Sequence, residues 1–213
     1  MFSYGALRLR PSPAELDFRY AWNVKRNTYG ISIKEEISMG ISYKNLDEQT
    51  RKFMLEELER DIANGSLYLS PRLNSTGQSK WAELLRKAIM SFDDDWLADQ
   101  LRVYMESHEE SRTRSGEMKS KKVPVTAPET LAEGEFNRFY ARGLCARAIA
   151  EGISEVLVYR GKEVKQPRPE SQARVGTRIA AKTLLEDLRK SQGVEPALGI
   201  PAGPNSGLTI CLP

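Results

Sequence analysis

Between Ser107 and Pro128 apolar periodicity all but disappears, whereas on either side apolar residues recur at helical spacing. The segment holds Ser111-Arg112-Thr113-Arg114-Ser115-Gly116 and Lys119-Ser120-Lys121-Lys122, and ends in Val123-Pro124-Val125-Thr126-Ala127-Pro128. Each proline biases the residue before it toward extended backbone. A stretch so poor in apolar residues has nothing to bury, so residues 107–128 are read as a basic extended linker. It divides the chain into a mostly helical domain at 1–106 and a small α/β domain at 129–213 with a Gly/Pro-rich tail. No internal repeat is visible.

In the first part, Met54, Leu55, Leu58 and Ile62 lie at helical spacing after Asn45 and Glu48, which form a start resembling a capping box. Asn64-Gly65 stops that helix. Ser66 to Ser70 reads as a short strand or extended piece and closes at Pro71. Ser79 is expected to open a helix with an inner face of Trp81, Leu84, Leu85, Ala88 and Ile89. Ser91 with Asp94 opens another, carrying Trp96, Leu97, Leu101, Tyr104 and Met105. Asp93, Asp94 and Asp95 stand where a helix N-terminus favours negative charge. The stretch 13–43 mixes helix, turn and short-strand signals.

In the second part, Thr130-Leu131-Ala132-Glu133 is a capping box that starts a helix through Phe136, Phe139, Tyr140, Leu144 and Ile149, ending at Glu151-Gly152. Ser154 to Arg160 is a β-prone run. Residues 162–176 read as a loop, 177–190 as a helix with Ile179, Ala180, Leu184 and Leu188 inward, and Leu208 to Leu212 as a last strand. The fold class is therefore α+β and helix-rich, with a helix–strand–helix–strand C-terminal part.

An apolar content of 40% supports a packed core. The apolar runs fall far short of the ~20 residues a membrane helix needs, and Met1-Phe2-Ser3-Tyr4-Gly5 lacks the pattern of a secretory leader. Cys145 in a helical pattern and Cys211 in a strand pattern are expected as two buried free thiols, which fits a reducing cytoplasm. The net charge of +3 is unevenly spread: residues 1–110 carry 15 Lys/Arg against 18 Asp/Glu, and residues 111–190 carry 17 against 10. The excess of positive charge in the second half points to a polyanionic partner.

No catalytic, metal or cofactor set is assigned. One histidine, His108, and two distant cysteines exclude a Cys/His zinc site. Glu163-Val164-Lys165 after a hydrophobic strand resembles the Glu-x-Lys element of metal-dependent nucleases, with Glu135 and Glu155 as further oxygen donors. The Pro-Asp strand expected upstream is absent. The candidate nucleic-acid contacts are cationic. Arg174, Arg178 and Lys182 recur at i, i+4 and i+8, which on one helix aligns them roughly 6 Å apart, close to the spacing of successive phosphates. Arg138 and Arg142 repeat that spacing on the earlier helix, and Arg112, Arg114, Lys119, Lys121 and Lys122 add cations from the linker. The leading expectation is a non-enzymatic intracellular protein, not associated with membranes, whose basic C-terminal half contacts nucleic acid or another acidic surface. Two alternatives stand beside it: an assembly subunit using its linker and tail as arms among other protein subunits, and a metal-dependent nuclease.

Overall fold

Asp47, not Asn45, begins the first helix. Its extended backbone lets the side chain accept the Thr50 amide at 2.9 Å, satisfying one of the donors that a helix start leaves open. The computed structural model describes residues 40–112, 116–191, 198–201 and 206–213, with the side chain of Arg112 excepted. Most of the mixed stretch 13–43 therefore lies outside the described residues.

Helix α1, Glu48–Ala63, buries Met54 and Leu58 at the expected spacing and gives way to Gly65 at φ 62°. Residues 66–70 are irregular. Helix α2, Ser75–Ser91, starts four residues before Ser79 because Asn74 accepts the Gly77 amide at 2.8 Å. Its buried face contains Trp81, Leu84, Leu85, Ala88 and Ile89, as expected, and the Trp81 indole donates to the Tyr68 carbonyl at 2.8 Å. Helix α3, Asp94–Leu101, is capped by Asp93 and continues into a 3-10 turn, Arg102–Tyr104.

The segment expected to be an extended linker contains a β-hairpin. Strand β1, His108–Arg112, pairs antiparallel with β2, Met118–Lys122, in the register His108↔Lys122 to Arg112↔Met118. Backbone pairing needs no apolar side chains, so the absence of periodicity did not preclude a strand. Gly116 sits at φ 88°, a conformation glycine adopts without steric cost, at the foot of the reversal.

Helix α4, Ala127–Ala150, begins three residues before Thr130, with Pro128 in its first turn. That position wastes no amide hydrogen. The helix ends at Glu151, with Gly152 at φ 75°. Every residue from Glu135 to Cys145 is buried, so this helix has no solvent face over three turns. It packs against α1, α3 and a later helix.

Strand β3, Glu155–Arg160, is the centre of a sheet ordered β4-β3-β5, both pairings antiparallel. Within the expected loop lies a short helix, α5, Pro169–Arg174. The helix expected from residue 177 begins instead as strand β4, Arg178–Ala180, because Ile179 pairs opposite Val156 in the ladder. Only then does α6, Ala181–Lys190, form, burying Leu184, Leu185 and Leu188 against α4. The last strand, β5, Leu208–Cys211, is buried throughout.

The fold is α+β and helix-rich, as the sequence indicates. The boundary at 107–128 does not separate two cores: one apolar cluster runs from Met54, Trp81 and Leu97 through Phe136 and Leu144 to Val158, Leu188 and Ile210, and residues 39–213 form one compact unit. The reason is α4, which supplies the centre around which the earlier helices pack. Cys145 and Cys211 are both unbridged and buried. Among the described residues no helix is long and apolar enough to cross a membrane.

Gly143 lies where the α1 backbone comes close to α4. A Cβ there would lie 2.6 Å from Met54 Cγ and 2.7 Å from the Met54 backbone nitrogen. Gly143→Ala is therefore expected to destabilise the chain by about 1–3 kcal/mol through overpacking, although alanine is the better helix former by about 1 kcal/mol. Urea denaturation measures the sign; a stabilised variant would show that the two helices separate easily.

Candidate nucleic-acid interface

Alternation along a strand sorts the hairpin side chains onto two faces. Glu109, Ser111, Lys119 and Lys121 share one, since Glu109 pairs opposite Lys121 and Ser111 opposite Lys119. His108, Glu110, Met118, Ser120 and Lys122 share the other. All five residues of β2 are exposed. The Arg72 guanidinium donates to both carboxylate oxygens of Glu109, at 2.6 and 3.2 Å, and Lys121 lies 3.3 Å from the same group. Arg72 holds the Glu109 carboxyl below the usual carboxylate range. No carboxylate lies within ion-pair distance of Lys119 or Lys122 among the described residues. His108 is exposed, its Nδ1 3.1 Å from Ser107 Oγ. Arg114 and the side chain of Arg112 lie outside the described residues.

The other predicted cations are dispersed. Arg174, Arg178 and Lys182 fall on α5, β4 and α6, so the single helical stripe does not form. Arg174 donates to the Leu198 carbonyl, Arg178 is 3.9 Å from Glu155, and Lys182 is exposed.

Arg138 and Arg142 are buried, because the helix that carries them is enclosed on all sides. Arg138 donates to the Ser191 carbonyl and lies 3.7 Å from Glu135. Arg142, with 0% of its surface exposed, donates to Glu57 Oε2 at 2.9 Å and to Asp61 at 2.5 and 2.8 Å. Arg189 from α6 also binds Glu57. Burial alone would raise the Glu57 carboxyl, but Arg189 and Arg142 outweigh it and hold it low. At Glu135 burial prevails: it pushes the carboxyl up to about 7, although Arg138 and Arg142 act against it. This network ties α1, α4 and α6 together and presents nothing to a polyanion.

A second polar cluster anchors residues 40–45. The Gly40 and Ile41 amides donate to Asp95 and Asp94 at 2.9 and 3.2 Å, the Ser42 amide to the Gly161 carbonyl at 2.8 Å, and the Lys44 and Asn45 amides to the hydroxyls of Tyr159 and Tyr140 at 2.9 and 3.2 Å. Asn45, expected at a helix start, accepts the Leu212 amide at 3.0 Å instead. The Tyr43 ring tilts against Phe136 and Tyr140. Burial pushes Asp94 up to about 7; the charges of Asp95 and Glu133 act in the same direction, and the Ile41 amide acts against them. Lys162 pairs with Glu133 at 2.8 Å.

Glu163 and Lys165 lie exposed in an irregular segment, Glu155 starts β3, and Glu135 is enclosed beside Arg138. Among the described residues no group of three or more His, Cys, Asp or Glu side chains is arranged to hold a metal ion.

The feature that the sequence pattern does not reveal is the hairpin that sets Lys119, Lys121 and Lys122 in register; the one cue is Gly116 placed between two charged, apolar-poor runs. Compared with protein-family models, curated proteins and solved structures, the chain matches none.

Proposed function

We propose that this chain is a non-enzymatic, cytoplasmic binding protein that contacts nucleic acid through the basic hairpin at 108–122. The observation that carries this reading is β2 itself: five exposed residues, three of them lysine, on a backbone held in register by β1. Lys119 and Lys121 are two residues apart, roughly 7 Å along a strand, which is near the spacing of neighbouring phosphates. Each lysine that neutralises a phosphate releases a counterion. The two buried unbridged thiols fit a reducing compartment.

Self-assembly through the same hairpin is the reading it displaces. An open strand edge invites pairing with another chain, and lysines along it oppose that pairing.

The test is fluorescence anisotropy with a labelled DNA or RNA from 50 to 200 mM salt. The parent is expected to bind with a steep salt dependence. Changing Lys119, Lys121 and Lys122 together to glutamine should lower the slope of log K against log salt by about 2–3, at roughly 0.7–0.9 per lost contact. Its thermal melt should match the parent, since exposed charges matter by less than about 0.5 kcal/mol. Unchanged binding by the triple variant, or none by the parent, removes the reading.

A further inference from the structure

The hairpin is oriented, and its orientation selects a ligand. The residues leading into β1 are bonded on the edge away from β2: the Asn74 amide donates to the Tyr104 carbonyl at 2.9 Å and the Glu106 amide to the Arg72 carbonyl at 2.8 Å. Ser107, the next residue, turns its carbonyl to the opposite edge and accepts the Val123 amide at 3.0 Å. Successive residues of a strand use opposite edges, so the acidic strand β1 faces the 72–74 segment and the lysine strand β2 is outermost. The Arg72–Glu109 ion pair fixes the same arrangement through side chains. The ribbon is thus polarised across its width, with carboxylates inward and ammonium groups outward.

Lysines also occupy both faces of that outer edge, Lys119 and Lys121 on one and Lys122 on the other. The hairpin sequence contains no Phe, Tyr or Trp, so it lacks the aromatic platforms on which single-stranded bases stack. The B-DNA major groove is about 12 Å wide and admits a two-stranded ribbon, with phosphates along both walls, whereas the A-form RNA groove is deep and narrow.

Resting on the nucleic-acid reading above, we propose that the hairpin enters the major groove of duplex DNA edge-on with β2 leading, Lys119 and Lys121 meeting one phosphate wall and Lys122 the other. Contact is to the backbone, so binding is weakly dependent on sequence.

The experiment compares the full chain on a 20-base-pair DNA duplex, the same single strand and an RNA duplex of the same sequence, at fixed salt. The parent is expected to bind the DNA duplex at least ten-fold more tightly than either alternative. Lys119→Gln/Lys121→Gln and Lys122→Gln should each weaken duplex binding several-fold, with arginine at all three positions restoring it and thermal melts unchanged. Equal or tighter binding of single strands or duplex RNA overturns groove entry while leaving nucleic-acid binding in place. So does a Lys122→Gln variant that binds duplex DNA like the parent, because one wall would then be unused. Absence of binding to all three probes overturns both readings.

Discussion

Replacing Arg142 with methionine is expected to cost about 3–5 kcal/mol of stability, the usual consequence of removing one partner from a buried ion pair. Its guanidinium is fully enclosed and bonds Glu57 and Asp61, both of them on α1 and themselves buried. Methionine fills most of the volume, so the loss reports charge rather than a cavity. Glu57 keeps Arg189 as a partner, but among the described residues Asp61 has no other ion pair. Arg142→Met/Asp61→Leu should therefore recover at least half of what the single change loses, since a buried pair replaced by apolar residues is often neutral or better. Equilibrium urea unfolding of the three chains measures this. A loss under about 1 kcal/mol for Arg142→Met would mean that water reaches the network. Any nucleic-acid affinity of the folded fraction should be unchanged, which separates Arg142 from the lysines of β2.

Arg142 also shows where sequence reasoning runs out. The helix was legible from Phe136, Phe139, Tyr140 and Leu144, and its stop from Glu151-Gly152. The i, i+4 spacing of Arg138 and Arg142 was legible too, but spacing alone does not say whether a face meets solvent. The apolar residues of 136–145 cover about two thirds of the helix circumference, wider than the stripe of a one-sided surface helix, and leave a single sector to Arg138 and Arg142; once a neighbouring helix closes that sector, the cations must be paired. The stripe of Arg174, Arg178 and Lys182 dissolved for a different reason: Ile179 serves a non-local ladder to Val156, and no local pattern announces a partner more than twenty residues away. Cap positions shifted by two to five residues because Asp47, Asn74 and Asp93 compete with nearby Asn45, Ser79 and Ser91, and which one caps depends on where the chain must turn. The lysines of β2 were found by composition, while the hairpin that orders them depends on backbone pairing, which leaves no apolar trace.

Acidification from pH 8 to about pH 5 is expected to raise the melting temperature, the reverse of a chain whose carboxylates are all well paired. Two enclosed carboxyls set the sign. Burial raises Asp94 from 3.8 to about 7 and Glu135 from 4.5 to about 7. Asp94 is faced by Tyr43, Asp95 and Glu133, with Lys162 bound to Glu133; Glu135 is faced by Arg138, Arg142 and Asp61. Between their ordinary values and about 7 the folded chain holds more protons than the unfolded chain, so stability falls as pH rises through that window. A tenfold difference in proton affinity between the folded and unfolded chains is worth about 1.4 kcal/mol, which places the combined effect on the order of a few kcal/mol. Glu57 has the opposite sign. Held low by its arginines, it contributes stability above about 4.5 that is lost as pH falls below it. The optimum should accordingly lie near pH 5–6. Asp94→Asn keeps an acceptor for the Ile41 amide without the charge, and Glu135→Gln does the same beside Arg138. Each should stabilise the chain at pH 8, flatten the profile between pH 5 and 8, and have little effect at pH 5. Thermal melts at half-unit intervals decide it: a parent whose melting temperature rises steadily from pH 5 to 8 would mean that both carboxyls are ionised without cost, and that their enclosure is broken by solvent.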